Sequence, residues 1–443
     1  MTDKSEKFGV NTATSIVIAN MIGTGVFTSL GFQLLDIQSA PVILLLWVVG
    51  GILALCGALC YAELGAALPR SGGEYNFLSQ IYHPAAGFIS GWISSTIGFA
   101  APTALAAITG ATYLNAVQPE VPVVGAAAAL VVLVGMVHLG SRRGSARFQL
   151  LFTALKVLLI VLFIIAAWWQ VDQLQNIRWS PTKEDWPLIT SGGFAIALIY
   201  VNYAYTGWNA ATYLVGEVNG GGRHLPRILL AGTGLVMALY LLLHVMFLSV
   251  APMSAMSGQI EIGYIVAGFA FGEAGSTLVG LMLATLLVST VSAMVIAGPR
   301  ALQVIGQDFH ALRFLAYENR FGVPAVAICF QTTITLLLVL TSTFDKILVF
   351  ASFTLALNTL LTVIGVAVLR HKKRSAPDLF RVPWYPWPML IYVGITFWTL
   401  VFVVWERPVE ALVGAVLIAS GWLFYYVSRD RVTPEYSSVE KGP

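Results

Sequence analysis

A lysine inside an apolar run is the residue of this sequence that points most directly to chemistry. Lys156 lies within the run from Leu150 to Leu162. A cation at membrane depth is costly, so it normally faces a partner or a cavity on an ion or substrate pathway. About fourteen residues separate Lys156 from the outer end of its span, which is farther than a lysine stem can reach by snorkelling. We therefore expect Lys156 to act inside the protein.

Two other apolar segments are interrupted near their middle by small residues. One carries Ile22-Gly23-Thr24-Gly25 and the other Ala204-Tyr205-Thr206-Gly207. An unwound stretch leaves N–H groups free at the start of one half-helix and C=O groups free at the end of the other. The N–H groups suit a carboxylate and the carbonyls suit an ammonium, so the pair predicts a site for a zwitterionic amino acid. Taken alone, Gly23-Thr24-Gly25 has the alternative of a helix-packing patch of small residues.

The elements that position these residues are predicted to be membrane-spanning helices. The chain is 58% hydrophobic and 10% charged, whereas soluble domains carry about 25% charged residues. Because about 20 apolar residues span a bilayer as a helix, we predict one all-α integral membrane domain over residues 1–443 with twelve transmembrane helices. The predicted segments are approximately 11–35, 41–67, 85–116, 121–139, 146–170, 187–215, 226–250, 264–298, 322–341, 345–369, 387–405 and 409–428.

The two interruptions also suggest an internal repeat. They fall in the first and sixth spans, and four further helices follow each of them. We therefore predict repeat one over about residues 11–170, repeat two over about 187–369 and two extra helices over about 387–428. A unit with an odd number of spans inverts the next copy. Inverted repeats with discontinuous helices at corresponding places are typical of transporters with a substrate site near the middle of the membrane.

The basic residues predict the orientation of the chain. Leaving Lys156 aside, one set of loops together with both termini holds 19 Lys and Arg residues and the other set holds 4. This bias places both termini in the cytoplasm and requires an even number of spans. The net charge of +3 then reflects the basic residues of the cytoplasmic loops and does not indicate nucleic-acid binding.

The cysteines and histidines indicate no redox or metal chemistry. Cys56 and Cys60 are one helical turn apart in an apolar segment, a spacing that favours packing over a disulfide, and Cys329 lies in another apolar segment. The six histidines have no metal-ligand spacing. We therefore expect neither a metal nor another cofactor, and the sequence disfavours an enzyme embedded in the membrane.

These motifs, in this order, resemble the amino acid–polyamine–organocation superfamily, and within it the L-type amino acid transporters. The resemblance covers almost the whole chain and depends on residues 22–27, 61–75, 88–92, 148–156, 204–209 and 216–227. It implies a LeuT-like fold, which is a five-plus-five inverted repeat with helices 1 and 6 discontinuous and two further C-terminal helices. It also implies a substrate site between spans 1, 3, 6 and 8.

The resemblance assigns the two interruptions to substrate binding. The amino acid would contact both stretches. The residues on one side would be Ile22, Gly23, Thr24 and Gly25, and those on the other Tyr203, Ala204, Tyr205, Thr206 and Gly207. Tyr203 would be an outer aromatic gate. Asn209 would be a polar contact or a residue that stabilises the interruption.

Further roles are expected for charged residues and hydroxyls. By resemblance, Lys156 takes the place of a sodium ion of sodium-coupled relatives and bridges the first interruption to Ser289 and Thr290 of span 8. Two alternatives stay open: a lysine that remains charged, or one that burial discharges and that carries a proton. Glu63 and Arg70 could form an inner gate network, with pairing and capping as the alternative.

The resulting hypothesis is a plasma-membrane transporter of neutral L-amino acids, by sodium-independent exchange. Proton-coupled symport is the alternative, and an amino acid sensor or a channel are further ones. No acidic residue is expected beside either interruption, which argues against arginine or polyamines. The loop after span 3, near Ala116–Val121, holds no cysteine, so we expect no disulfide-linked partner subunit.

Overall fold

The computed structural model describes residues 9–140, 145–372 and 379–428, and it is built from helices. No β-strand occurs within these ranges, which confirms the predicted all-α class. The predicted cytoplasmic termini lie outside the described residues. The α-helices are α1 (Val10–Met21), α2 (Gly25–Asp36), α3 (Ala40–Ala67), α4 (Glu74–Ile81), α5 (Pro84–Ile93), α6 (Ala100–Val117), α7 (Val123–Leu139), α8 (Ser145–Gln170), α9 (Trp186–Ile189), α10 (Gly192–Tyr205), α11 (Leu225–Val250), α12 (Met253–Met256), α13 (Ile262–Asp308), α14 (Ala325–Thr341), α15 (Phe344–His371), α16 (Trp387–Glu406) and α17 (Pro408–Ser428).

Length and apolar character identify the helices that can cross a membrane. Within the described ranges, nine helical segments satisfy both criteria, and a bent pair, Lys183–Ile189 with Gly192–Tyr205, can supply a tenth. Two shorter apolar helices, α7 and α14, occupy the places of two further predicted segments. Helices therefore follow the order of the twelve predicted segments, while a count of twelve full spans stays a prediction.

The chain departs from regular α-helix at both predicted interruptions. Helix α1 ends at Met21 and α2 begins at Gly25, and residues 22–24 between them form a bend. Helix α10 ends at Tyr205 and is followed by a turn and a 3-10 helix, Ala210–Glu217. A π-helical turn, Ser94–Gly98, joins α5 to α6. Helix α13 bends at Gly272, whose φ of 71° lies in the left-handed region that glycine tolerates.

Packing brings the helices that carry the predicted site residues together. Helix α6 packs along α13, α11 along α3, and α10 along α2. Helix α8 contacts α1, α11 and α13, so the segment that carries Lys156 lies beside the first interruption and the middle of α13.

All three cysteines are free. Cys56 and Cys60 are buried in α3, and Cys329 is exposed on α14. The burial of Cys56 and Cys60 agrees with the expectation that they serve packing.

Candidate functional site

A cavity of about 500 Å³ lies against both interrupted stretches. This volume is in the usual range for a site that holds a small molecule. Nine of the ten predicted substrate-binding residues line it: Gly23, Thr24, Gly25, Tyr203, Ala204, Tyr205, Thr206, Gly207 and Asn209. The tenth, Ile22, lines a smaller neighbouring cavity instead.

The cavity extends toward the arginine-rich side of the protein. Its wall includes Ser71, Gly72 and Arg300, which belong to or adjoin loops of the set with 19 basic residues. The same space therefore runs from the interruptions to that side.

Close contact of the two interruptions explains their glycines. A Cβ atom on Gly25 would lie 2.5 Å from the Ala204 Cα atom, too close for any real contact with backbone. Gly207 has a φ of +106°, and a Cβ there would lie 2.7 Å from the carbonyl carbon of Asn20. Glycine is thus required at both positions, because space and backbone conformation exclude a side chain.

The main chain at the interruptions provides both donors and acceptors. The Phe27 N–H donates to the Thr24 carbonyl at 3.0 Å. The N–H groups of Gly25 and Val26, which begin α2, have no carbonyl partner within their own helix, and the Thr24 side chain does not cap them. They carry the positive end of the helix dipole to the cavity wall. The last carbonyls of α10 reach the same wall, where those of Asn202 and Tyr203 accept bonds from Thr206.

Tyr203 lies between the interruptions, where an outer gate is expected. Its side chain is buried, and its hydroxyl is 3.5 Å from the Thr24 hydroxyl, at the long limit of a hydrogen bond. The gating role of Tyr203 stays a prediction.

Tyr240 of α11 links the two interruptions, and the sequence reasoning missed it. Its buried hydroxyl is 2.6 Å from the Met21 carbonyl oxygen and 3.1 Å from that of Ala204. Its ring packs against Tyr205 and Trp47. A buried phenol hydroxyl usually has a hydrogen-bond partner. A tyrosine inside an apolar helix could therefore have indicated this contact from the sequence.

Lys156 lies beside the first interruption and bonds to α13. Its side chain is buried, and its ammonium nitrogen donates to the Thr290 hydroxyl oxygen at 2.9 Å. Lys156 and Thr290 line the smaller cavity with Ile22 and Gly23. The Ser289 hydroxyl donates to the Leu286 carbonyl of its own helix at 2.7 Å. Of the two predicted hydroxyl partners, only Thr290 bonds to Lys156, because adjacent residues of a helix point in directions about 100° apart.

Glu63 and Arg70 are not joined to each other. The Glu63 carboxylate, which is 1% exposed, accepts two bonds from Arg370, at 2.6 and 2.7 Å, and one from the Val382 N–H at 2.7 Å. Arg70 instead pairs with Asp308 at 3.4 Å. Glu63 and Arg70 therefore belong to two separate ion pairs. This geometry agrees with the expected alternative of pairing, and the gating role stays a prediction.

A buried carboxylate in the cavity wall was not foreseen. Glu74, the first residue of α4, is 3% exposed and lines the same cavity as the interruptions. It accepts bonds from the Asn209 amide at 2.5 Å, from the Tyr61 hydroxyl at 3.0 Å, and from the Tyr213 hydroxyl. The expectation that no acidic residue lies beside an interruption is wrong, because Asn209 is two residues beyond Gly207.

Within the described ranges no group of three or more His, Cys, Asp or Glu residues is placed to hold a metal ion.

Comparison with known proteins agrees with this arrangement. A family model described as amino acid permease matches residues 8–428. The human b(0,+)-type amino acid transporter 1 is 28% identical over 437 residues, covering 96% of this chain and 88% of the relative. The mouse large neutral amino acids transporter small subunit 2 is 29% identical, covering 95% of this chain and 81% of the relative. The mouse Asc-type amino acid transporter 1 is 28% identical, with coverage of 95% and 81%. This chain belongs to the amino acid permease family of the amino acid–polyamine–organocation superfamily, and it is a membrane transport protein and not an enzyme.

Proposed function

We propose that this protein is a secondary transporter of neutral L-amino acids that works by alternating access. The observation that carries the proposal is that two interrupted helical stretches, far apart in sequence, line one cavity. The names of the relatives, which include a large neutral amino acids transporter, support the substrate class. The proposed frame is the five-plus-five inverted repeat, with α1–α2 as the first discontinuous span and α10 with the following 3-10 helix as the sixth.

The chemistry of the interruptions suits the two charges of an amino acid. The α-carboxylate binds the N–H groups at the start of α2, where Gly25 allows close approach and the helix dipole is positive. The α-ammonium binds carbonyls at the end of α10. Neutral side chains occupy the part of the cavity lined by α13 and α15.

In this proposal Lys156 provides a fixed positive charge that makes a sodium ion unnecessary. Its bond to Thr290 joins α8 to α13, and both residues adjoin Gly23 in the smaller cavity. A charge in that place stabilises the carbonyl groups of the first interruption, as a bound cation would.

The orientation follows from the basic loops. With the arginine-rich side in the cytoplasm, the end of the cavity lined by the exposed Arg300 faces inward, which supports an inward-facing state. Transport then requires α1–α2, α3, α10 and α11 to rock against the other helices. We place the protein in the plasma membrane with both termini cytoplasmic.

Purified protein in liposomes tests the transport mode. Exchange predicts uptake of labelled alanine or leucine only into vesicles loaded with an unlabelled neutral amino acid, at the same rate with or without sodium. Uptake into empty vesicles driven by an acidic exterior would favour the proton-symport alternative. Binding of an amino acid without flux in either direction would favour a sensor.

The same experiment tests the partner proposal. The loop near Ala116–Val121 holds no cysteine, so we propose that the chain works without a disulfide-linked subunit. Uptake by the purified chain alone is the expected result, and flux that appears only after a second subunit is added would contradict it.

A further inference from the structure

A loop between two apolar helices carries exposed aromatic and basic side chains. Helix α13 ends at Asp308 and α14 begins at Ala325, so the segment between them lies where the chain leaves and re-enters the apolar layer. Residues 312–321 of this segment form the interfacial loop. It belongs to the side of the protein whose loops hold 19 basic residues.

The inner face of the interfacial loop is fixed to the protein. Leu312 and Leu315 are buried, and they pack into one apolar cluster with residues of α13 and α14. The side-chain amide of Asn319 donates to the Leu139 carbonyl of α7 at 2.9 Å, and its oxygen accepts a bond from the Phe321 N–H at 2.9 Å. The conformation of the outer face is therefore set by contacts within the protein.

Three aromatic side chains are exposed on the outer face. Phe314, Tyr317 and Phe321 are 53%, 62% and 47% exposed. Single apolar residues on a surface are ordinary, but a group of them marks an interaction site. Because aromatic rings are typical of the boundary between membrane and water, these three within eight residues indicate contact with lipid.

Two arginines adjoin these rings. Arg313 and Arg320 are exposed, and the guanidinium carbon of Arg320 lies 4.8 Å from the centre of the Phe321 ring, as in a cation–π contact. Neither takes part in an ion pair within the described ranges, where the paired arginines are Arg70, Arg178, Arg370 and Arg407. Their N–H groups are therefore available to an anion.

The charges of the loop favour an anion over a cation. Glu318 is its single acidic residue, and the carboxylate accepts a bond from the Gln303 amide at 2.7 Å. A guanidinium binds phosphate oxygens through parallel N–H donors. A dissolved phosphate ion would satisfy the arginines and leave the rings exposed, whereas a phospholipid has a phosphate for the former and apolar chains for the latter. Basic clusters beside membrane helices are typical of anionic lipid recognition.

We propose that the interfacial loop binds an anionic phospholipid of the adjacent leaflet. Its phosphate contacts Arg313 and Arg320, and its glycerol and upper acyl chains contact Phe314, Tyr317 and Phe321. None of these five residues lines either cavity, so the site is separate from that of the amino acid and does not depend on which substrate is transported. Since the loop packs on α13, the bound lipid contacts the end of a helix that also lines the large cavity.

Native mass spectrometry of the purified full-length protein tests the proposal by counting bound lipids. Phosphatidylglycerol and phosphatidylcholine with the same acyl chains are titrated in detergent. The unchanged protein is expected to bind the first phosphatidylglycerol about tenfold more tightly than phosphatidylcholine. The double variant Arg313→Gln with Arg320→Gln is expected to lose this preference, while Arg313→Lys with Arg320→Lys, which keeps the charge without the paired donors, should lose about threefold.

Arg223→Gln with Arg227→Gln is the matched control. Both arginines are exposed and belong to the same set of loops, but residues 219–227 contain no Phe, Tyr or Trp. This pair is expected to keep the preference for phosphatidylglycerol.

Three results would overturn the proposal. One is an unchanged protein that binds the two lipids equally, and another is an equal loss in the Gln pair and in the control pair, which would assign the effect to overall charge. The third is displacement of phosphatidylglycerol by an excess of glycerol 1-phosphate, which would show that the surface binds a soluble phosphate and not a lipid.

Discussion

The ammonium nitrogen of Lys156 lies 2.9 Å from the hydroxyl oxygen of Thr290, and this bond joins α8 to α13 inside the protein. Both side chains are buried. A buried charge that loses its partner is costly, since neither water nor another group replaces the bond. The pair is therefore expected to affect stability as well as transport.

Thr290→Val keeps the shape of the side chain and removes the acceptor for Lys156. We expect a loss of about 2 kcal/mol in stability, as for a hydrogen bond to a charged group, together with strongly reduced exchange. Thermal unfolding in detergent and counterflow in liposomes measure the two effects. Ser289→Ala is the matched control, because its hydroxyl bonds only to Leu286 and its loss is expected to cost less than about 0.5 kcal/mol. Equal effects of the two variants would contradict a role for the Lys156 bond.

Tyr240→Phe removes the hydroxyl that contacts both interruptions and keeps the ring packed. The Met21 and Ala204 carbonyls lose their shared donor, so the geometry of the binding backbone is expected to loosen and KM to rise about tenfold, equivalent to about 1.4 kcal/mol. Tyr82→Phe serves as the control, since its hydroxyl donates to the Leu361 carbonyl at 2.9 Å and Tyr82 lines neither cavity. Similar KM values for the two variants would show that Tyr240 matters only for packing.

Gly25→Ala is expected to abolish substrate binding. The added Cβ atom would lie 2.5 Å from the Ala204 Cα atom, and backbone cannot move aside as a flexible side chain can. Gly23→Ala is a fitting comparison, because the nearest atom to its new Cβ is the Thr290 Cγ2 at 4.0 Å. Isothermal titration with alanine on monodisperse samples should show binding for Gly23→Ala and none for Gly25→Ala, and wild-type affinity in Gly25→Ala would contradict the close packing of the interruptions.

The loop between α8 and α10 predicts a pH dependence of stability. Asp185 accepts a hydrogen bond from the Ser39 hydroxyl at 2.6 Å and one from the Thr182 N–H at 2.7 Å. These bonds, the Ser39 bond most of all, hold the pKa of Asp185 below its usual value, with a smaller contribution from the Arg178 guanidinium.

The sign of the effect follows from the lowered pKa. Because the unfolded carboxyl titrates near about 3.9, the carboxylate stabilises the folded protein above that pH, and this stabilisation is lost as the pH falls through the lower pKa of the folded state. The Tm difference between the unchanged protein and Asp185→Asn should be largest at pH 5 to 7 and should shrink below about pH 4. A difference for Asp185→Asn that is constant with pH would refute the assignment.

Local patterns in the sequence predicted where the helices lie and where they are interrupted. Residues 22–24 and 206–209 depart from α-helix, as their glycines and threonines indicated. Lys156 could be expected to meet a hydroxyl of the eighth span, but the choice between Ser289 and Thr290 depends on the rotation of α13, which hydropathy does not give.

Contacts between distant parts of the chain could not be predicted in this way. Glu74 and Asn209 are 135 residues apart, and Glu63 and Arg370 are 307 apart. Glu74 lies just beyond an apolar segment, where a carboxylate usually serves solvation or helix capping. Only the fold brings Glu74 to the wall of the cavity.

The placement of the three cysteines makes the natural sequence suitable for chemical labelling. Cys56 and Cys60 are buried in α3, and Cys329 is on the outer face of an apolar helix. A charged maleimide does not reach a thiol that is buried in protein or that faces lipid from a membrane span, so it should leave all three unmodified. A new cysteine in place of Thr206 would then be the reactive group, and adding the reagent to one face of a sealed vesicle at a time would report which compartment the site is open to.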